Sequence, residues 1–304
     1  MIYRPLLILP MSLFFSFGQA APTLRPDPPK VCDSCAEWNT PLEPFRVFGN
    51  TYYVGPAGVS AMLITSAAGH ILVDGALTQS AVLIDANIRK LGFRPEDIKL
   101  MVNGHAHYDH TGAFAAFQRM TGAPVAASPL GVKALQSGNA APDDPQFGFG
   151  VEENAYPAVK IVRAAADGET LRVGELAITA HHTPGHTPGS TSWTWRSCEG
   201  TRCLDIVYAD SISAVAAPGF RFTGDAKRPS IEASFRASIA KVAALPCDIF
   251  MTTHPQYAGL VEKAKRRTAD VNPFIDSGAC RAAAAAALKG LEARVAEESK
   301  SGHR

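Results

Sequence analysis

The chain has 304 residues, 46% of them hydrophobic, and its 29 Lys and Arg against 28 Asp and Glu leave a net charge of +1. That apolar content supplies a sizeable core and excludes a disordered or low-complexity chain. The even charge leaves no basic face broad enough for nucleic acid and no acidic tail.

Residues 1–20 read as a secretory signal peptide. Arg4 is the early positive charge, Leu6 to Phe17 is almost wholly apolar yet too short for a bilayer, and Gly18-Gln19-Ala20 offers small residues to a signal peptidase. Cleavage is expected after Ala20. The mature chain, 21–304, then forms one domain, periplasmic or secreted, with no membrane anchor because no later stretch is long and apolar enough to span.

Residues 21–45 are rich in Pro and polar groups and read as an extended arm. Asn50 to Val54 and Ser60 to Thr65 are short strand-like runs split by Gly55-Pro56-Ala57-Gly58. Ile71 to Gly75 is a third strand, carrying Asp74 at its end. Ser80 to Leu91 has helical spacing and stops at Gly92. A buried strand, Ile98 to Asn103, runs into a histidine-rich loop over 104–112. Phe114 to Met120 follows as a helix and Val125 to Ala127 as a strand. The stretch from Gly138 to Pro157 is a long Pro-, Gly- and Asp-rich loop of the kind that is usually functional. Strands resume at Val159–Val162, Leu171–Val173, Leu176–Ala180, Thr191–Trp195 and Leu204–Ala209. Helices are expected at 231–244, 259–267 and 279–297, with a strand at Asp248–Thr252. Strand runs in both halves, each with helices, fit an α/β architecture of two packed sheets flanked by helices.

Six cysteines suit an oxidised, exported protein. Cys198 and Cys203 bracket a hairpin-like turn that a bridge would close. A Cys247–Cys280 bridge would tie the last helix to the body, which leaves Cys32 with Cys35. No βαβ pattern surrounds that CxxC, so a thioredoxin-like role is not expected.

The chemistry concentrates in His105-Ala106-His107-Tyr108-Asp109-His110, at the end of a buried strand. Imidazole and carboxylate are good zinc ligands, and this density of donors feeds two neighbouring metals. His186 stands between two Pro-Gly turns in Thr183-Pro184-Gly185-His186-Thr187-Pro188-Gly189, and His254 ends a strand. His181 and His182 read as supporting or structural. His70, in a turn, and His303, in the tail, are not ligand candidates.

HxHxDH followed by a later His, an Asp near a strand end and a final His resembles the metallo-β-lactamase superfamily. Gly185 to Trp195, Tyr208-Ala209-Asp210-Ser211-Ile212-Ser213, and Leu245-Pro246-Cys247-Asp248 running on to His254-Pro255 are similar to subclass B3 β-lactamases. The resemblance implies the αββα fold of two mixed β-sheets flanked by helices. It implies two zinc ions per chain, the first on His105, His107 and His186, the second on Asp109, His110 and His254. It further implies hydrolysis of a small-molecule β-lactam by a metal-bridging hydroxide that Asp109 orients, and so antibiotic resistance. Ser211 would lie beside the second zinc's water, Ser213 would bind the substrate carboxylate, and Gln146 resembles a substrate-contacting glutamine. Asp74 and Asp210 take supporting roles. Cys247–Cys280 and Cys198–Cys203 match bridges found in the subclass. A monomer is expected. The alternative is a lactonase or glyoxalase-II-like thioesterase on the same metals, in which Asp210 would bridge them. A scaffold that binds zinc without turnover is a second rival. A serine nucleophile is disfavoured, because Ser211 and Ser213 lack the Gly-x-Ser-x-Gly and Ser-x-x-Lys contexts.

Overall fold

The structure, a computed structural model, describes residues 23–301. The expected leader at 1–20 and His303 lie outside them. Two mixed sheets face each other. The first runs β1 (Phe45–Phe48), β2 (Thr51–Tyr53), β3 (Met62–Ile64), β4 (His70–Val73), β5 (Ile98–Val102), β6 (Val125–Ala127) and β7 (Val162–Ala164) in sequence order. Its first four strands pair antiparallel and the rest parallel. The second sheet is ordered β12 (Ile249–Thr252), β11 (Arg202–Ala209), β10 (Thr191–Glu199), β9 (Leu176–His182), β8 (Thr170–Val173). Only its β11–β12 pair is parallel.

Strand side chains alternate between two cores, as the two-residue period requires. Met62, Ile64, Ile71, Val73, Leu100 and Val102 face the second sheet and meet Trp193, Trp195, Ile206 and Met251. Leu63, Leu72 and Met101 point outward onto α2 (Ser80–Lys90) and α4 (Phe114–Thr121), through Ile84, Ile88, Phe114 and Phe117. Met62–Ile64 of β3, Ile71–Val73 of β4 and Leu100–Val102 of β5 are covered on both faces and read as apolar runs, whereas Lys99 near the start of β5 is exposed. Beyond the second sheet, α7 (Glu232–Ala244) packs on α9 (Ala279–Ser301) through Phe235, Ile239, Ala284 and Leu291. The layering is helix, sheet, sheet, helix. No helix among the described residues is long and apolar enough to cross a membrane.

Several sequence expectations shift. The arm holds a short helix, α1 (Cys35–Trp38), and ends in β1. The histidine loop winds into α3 (Tyr108–Thr111). His70 begins β4 and does not lie in a turn. A helix missing from the sequence reading, α5 (Pro129–Ser137), starts on Ser128, whose hydroxyl accepts from the Gly131 amide at 3.1 Å, and stops at left-handed Gly138. Its cap, Pro and stop are ordinary signals, but Gly131 and Val132 dilute the pattern between them. The long loop contains a 3-10 turn at Phe147–Phe149 and α6 (Val151–Asn154). The strand expected at 159–162 begins at Val162, because the Gln118 side-chain carbonyl accepts from the amides of Lys160 and Ile161 and diverts them from the ladder, although the Ile161 carbonyl still accepts from the Val125 amide of β6. Toward the chain end, α8 (Leu260–Lys265) is shorter than the expected 259–267, because left-handed Gly259 stands before its first turn and Arg266 caps its end; a 3-10 turn at Pro255–Ala258 precedes it. The cysteines pair as Cys32–Cys35, Cys198–Cys203 and Cys247–Cys280.

Candidate metal centre

Parallel neighbours β4 and β5 end at one edge of the first sheet, and parallel neighbours β11 and β12 end at the facing edge of the second. Crevices outside the carboxyl ends of parallel strands collect functional loops. Asp74 follows β4, His105 follows β5, Asp210 follows β11 and His254 lies just past β12. His186 comes from the β9–β10 connection. The histidine segment is anchored from the second sheet: Trp193 Nε1 donates to the Asn103 carbonyl at 2.9 Å and the Thr191 amide to the Gly104 carbonyl at 2.8 Å.

Five imidazoles crowd this edge. Ring centroids lie 4.6 Å apart for His105–His107, 4.7 Å for His105–His186, 4.3 Å for His105–His110 and 5.0 Å for His110–His254. All are buried except half-buried His254. Two triplets, His105–His107–His186 and His105–Asp109–His110, bring ligand atoms within 4.8 Å of one another. His254 joins the second group through Asp109: Asp109 Oδ2 is 3.1 Å from His110 Nε2 and 3.4 Å from His254 Nε2.

The outer nitrogen of most of these rings is held from behind, which fixes the inward one as a lone pair. His105 Nδ1 is 2.7 Å from Asp210 Oδ1, while His105 Nε2 is buried without a hydrogen-bond partner. His107 Nε2 is 3.0 Å from Asp144 Oδ2. His186 Nδ1 donates to the Ser213 carbonyl at 2.9 Å. His254 Nδ1 donates to the Gly58 carbonyl at 3.1 Å. The remaining ring, His110, has Nδ1 at 3.9 Å from Asp74 Oδ2, too far for a hydrogen bond.

Asp74 sits at φ 56°, a left-handed conformation uncommon outside glycine. There its carboxylate accepts from the Gly104 amide at 2.7 Å, from Asn103 Nδ2 at 3.2 Å and from Tyr208 OH at 2.7 Å. Gly104 is confined between the two supporting acids. A Cβ there would lie 2.7 Å from Asp210 Oδ1 and 3.2 Å from Asp74 Oδ2.

Electrostatics sort the donors. Burial pushes Asp109 up, but His110 and His254 outweigh it and hold the carboxyl well below its ordinary value. Burial and the His107 ring push His186 down to about 3. Burial and the neighbouring imidazoles also hold His105 well below its ordinary range. Burial pulls His107 down, yet the facing Asp144 carboxylate wins and holds it up. Burial drives Asp210 well above the usual carboxyl range. Ionised Asp109 and neutral His105 and His186 are the forms that ligate a cation. The donor set, with an orphaned ring nitrogen aimed among other imidazoles, fits a borderline-soft divalent metal such as zinc.

The remaining sequence candidates divide. Ser211 Oγ is 2.7 Å from Thr253 Oγ1 and buried, and Ser213 Oγ is 3.3 Å from His186 Nδ1. The Gln146 side-chain amide meets His186 Nε2 at 3.2 Å, on the lone pair that a metal would use. His181 and His182 bond Thr194 and the Ala165 carbonyl along β9, outside the cluster. Asp144 and the Gly58 carbonyl were not singled out in the sequence. The signal for Asp144 was slight, a carboxylate in a Pro-rich loop, and a backbone carbonyl leaves no signal at all.

The family model described as the metallo-beta-lactamase superfamily matches residues 54–254. Among solved structures, the Rm3 metallo-beta-lactamase is similar at TM-score 0.85 and 48% identity, over 89% of this chain and 100% of that one. MEM-A1, a subclass B3 metallo-beta-lactamase isolated from a soil metagenome library, is similar at TM-score 0.82 and 46% identity, over 87% of this chain and 99% of that one. Among curated proteins, N-acyl homoserine lactonase AttM of Agrobacterium fabrum is 28% identical over 193 residues, 53% of this chain and 70% of the lactonase. The chain covers about half, 51%, of an uncharacterized protein of Aquifex aeolicus that it matches at 29% identity over 113 residues, 36% of this chain.

Proposed function

The chain belongs to the metallo-beta-lactamase superfamily, and from that membership we propose that it is a secreted, zinc-dependent β-lactamase of the subclass B3 kind. The likeness to subclass B3 enzymes over nearly the whole described chain, at identities well above those of the curated lactonase, carries the β-lactam reading. His105, His107 and His186 would hold one zinc, and Asp109, His110 and His254 a second. Bound zinc supplies a Lewis acid for the lactam carbonyl and lowers the pKa of water toward neutrality.

The chain's own groups prepare and orient. The Asp109 carboxylate, kept ionised by His110 and His254, orients the attacking water. Ser213, whose hydroxyl lies 3.3 Å from His186 Nδ1, would offer it to the substrate carboxylate, and Ser211, bonded to Thr253, would lie beside the second zinc's water. Gln146 must leave His186 Nε2 for the metal to bind, which frees its amide for substrate. Burial keeps His105 and His186 neutral, while Asp210 and the Ser213 and Gly58 carbonyls, by accepting the outer N–H groups of His105, His186 and His254, fix which ring nitrogen each leaves for a metal. The three disulfides support export to an oxidising compartment.

A lactonase or thioesterase reading has the AttM likeness in its favour. It requires Asp210 to face the metals, whereas Asp210 Oδ1 is engaged with His105 Nδ1 from behind the ring. We expect purified protein to hydrolyse nitrocefin, penicillins and carbapenems, to lose activity on chelation and to regain it with zinc. Faster turnover of an acyl homoserine lactone or a glutathione thioester, with no lactam opened, would reverse the assignment.

A further inference from the structure

Resting on the metal-site reading above, we propose that Asp144 is the positioning residue of the first metal trio and couples occupancy of that site to the loop over 139–150. Asp144 is buried while its neighbour Asp143 is exposed, although both lie in one Pro-flanked turn. Its two oxygens do different work. Oδ1 accepts from the Gln146 amide at 2.7 Å, closing a local turn, and Oδ2 reaches His107 Nε2 at 3.0 Å. The turn is fixed on both sides, by the Asp144 amide on the Ala141 carbonyl at 2.9 Å and by the Ala217 amide on the Pro145 carbonyl at 2.9 Å. The second bond joins this loop to the segment that carries Ser211 and Ser213.

A carboxylate facing Nε2 keeps the ring proton there and leaves Nδ1 as the lone pair for the metal. His105, His186 and His254 receive the same service from Asp210, directly after β11, and from the Ser213 and Gly58 carbonyls in the β11–α7 and β2–β3 connections. Of these two supporting side chains, Asp210 directly follows a strand, whereas Asp144 reaches its ring from within a loop. Gln146, two residues on, touches His186 of the same trio, so this one turn contacts two of the three donors.

The substitution Asp144→Asn tests the proposal, because a carboxamide has one acceptor oxygen and must satisfy two donors. With its oxygen on the Gln146 amide, its NH2 faces His107 Nε2 and drives the ring proton to Nδ1, the wrong tautomer for ligation. Zinc affinities of the wild type, Asp144→Asn, Asp144→Glu and Asp143→Asn would be measured by competition with a chromophoric chelator, alongside melting of the metal-free forms. Asp144→Asn should weaken one zinc by roughly 10- to 100-fold and leave the other tight. Asp144→Glu should recover part of the loss, and Asp143→Asn should behave as wild type. Two zincs bound by Asp144→Asn with wild-type affinities would overturn the proposal alone. A fall in metal-free melting temperature with both affinities unchanged would do the same, by reducing Asp144 to a loop anchor. A wild-type protein that takes up no zinc would overturn the metal-site reading and this proposal with it.

Discussion

Gly104 shows at the scale of one residue how tightly the donor cluster is held. Its backbone amide donates to Asp74 and its Cα faces Asp210, so a methyl group there meets a buried carboxylate oxygen at 2.7 Å. Asp210 cannot swing aside without releasing His105 Nδ1. We expect Gly104→Ala to fold with a lowered melting temperature and to bind the first zinc at least about 10-fold more weakly, as loss of a ligand's outer support does. Chelator competition and calorimetry would check this, and an unchanged zinc affinity would contradict the packing argument. The ligand types were legible in the sequence at this scale because imidazoles and a carboxylate at spacing HxHxDH are rare as core residues. Their supporting groups were legible only when they were side chains at strand ends, as for Asp74 and Asp210. Asp144 reaches the site from a loop whose path no periodicity encodes, and the Gly58 carbonyl carries no residue-type signature.

Elements were legible where two-sided burial or a clean helical period wrote them, as in β3 to β5 and α2. They were missed where side chains redirected the backbone, as Gln118 does before β7, or where a cap-and-stop frame enclosed a weak helix, as in α5. The C-terminal helix α9 adds a feature that alanine-rich composition conceals: its end is pinned by one acid. Glu298 accepts from the amides of Phe222 and Thr223 at 2.9 and 3.0 Å, from Thr223 Oγ1 at 2.8 Å and from Arg294 Nε at 3.0 Å. Burial alone would raise its carboxyl, but these donors hold it below its ordinary value. A carboxyl depressed in the folded state stabilises the fold above its unfolded pKa of about 4.3, and that contribution is lost as pH falls through the folded value. Glu298→Gln should therefore cost about 2 kcal/mol at pH 7, the scale of charge-assisted hydrogen bonds. The gap to wild type should shrink as pH falls below roughly 4.3. Denaturant midpoints of both proteins at pH 7 and in that acid range would test it, and a gap independent of pH would sink it.

Across the whole molecule, the site lies on the seam between two sheets. His105, His107, Asp109 and His110 come from the first sheet and His186 and His254 from the second, so donor geometry depends on how the halves are held together. Apolar contact across the seam does most of this, and Ser60 adds a tie by donating its amide to the Thr253 carbonyl at 2.8 Å, next to His254. The outer helical layer is fastened differently. Cys247, just before β12, is bonded to Cys280 in the first turn of α9, across a separation of 33 residues. Cys198–Cys203 closes a separation of only 5 within one hairpin. In the chain-entropy account, closing the longer loop stabilises by about 4 kcal/mol and the shorter by about 2. Cys247→Ala with Cys280→Ala should then lower the guanidinium midpoint about twice as far as Cys198→Ala with Cys203→Ala. The hairpin strands remain paired through their ladder in either case, whereas α9 loses its only covalent tie to the second sheet. Equal losses from the two pairs would mean that the hairpin bridge supports more than its own turn, and that α9 is held by its packing on α7 and by Glu298 without help from the disulfide.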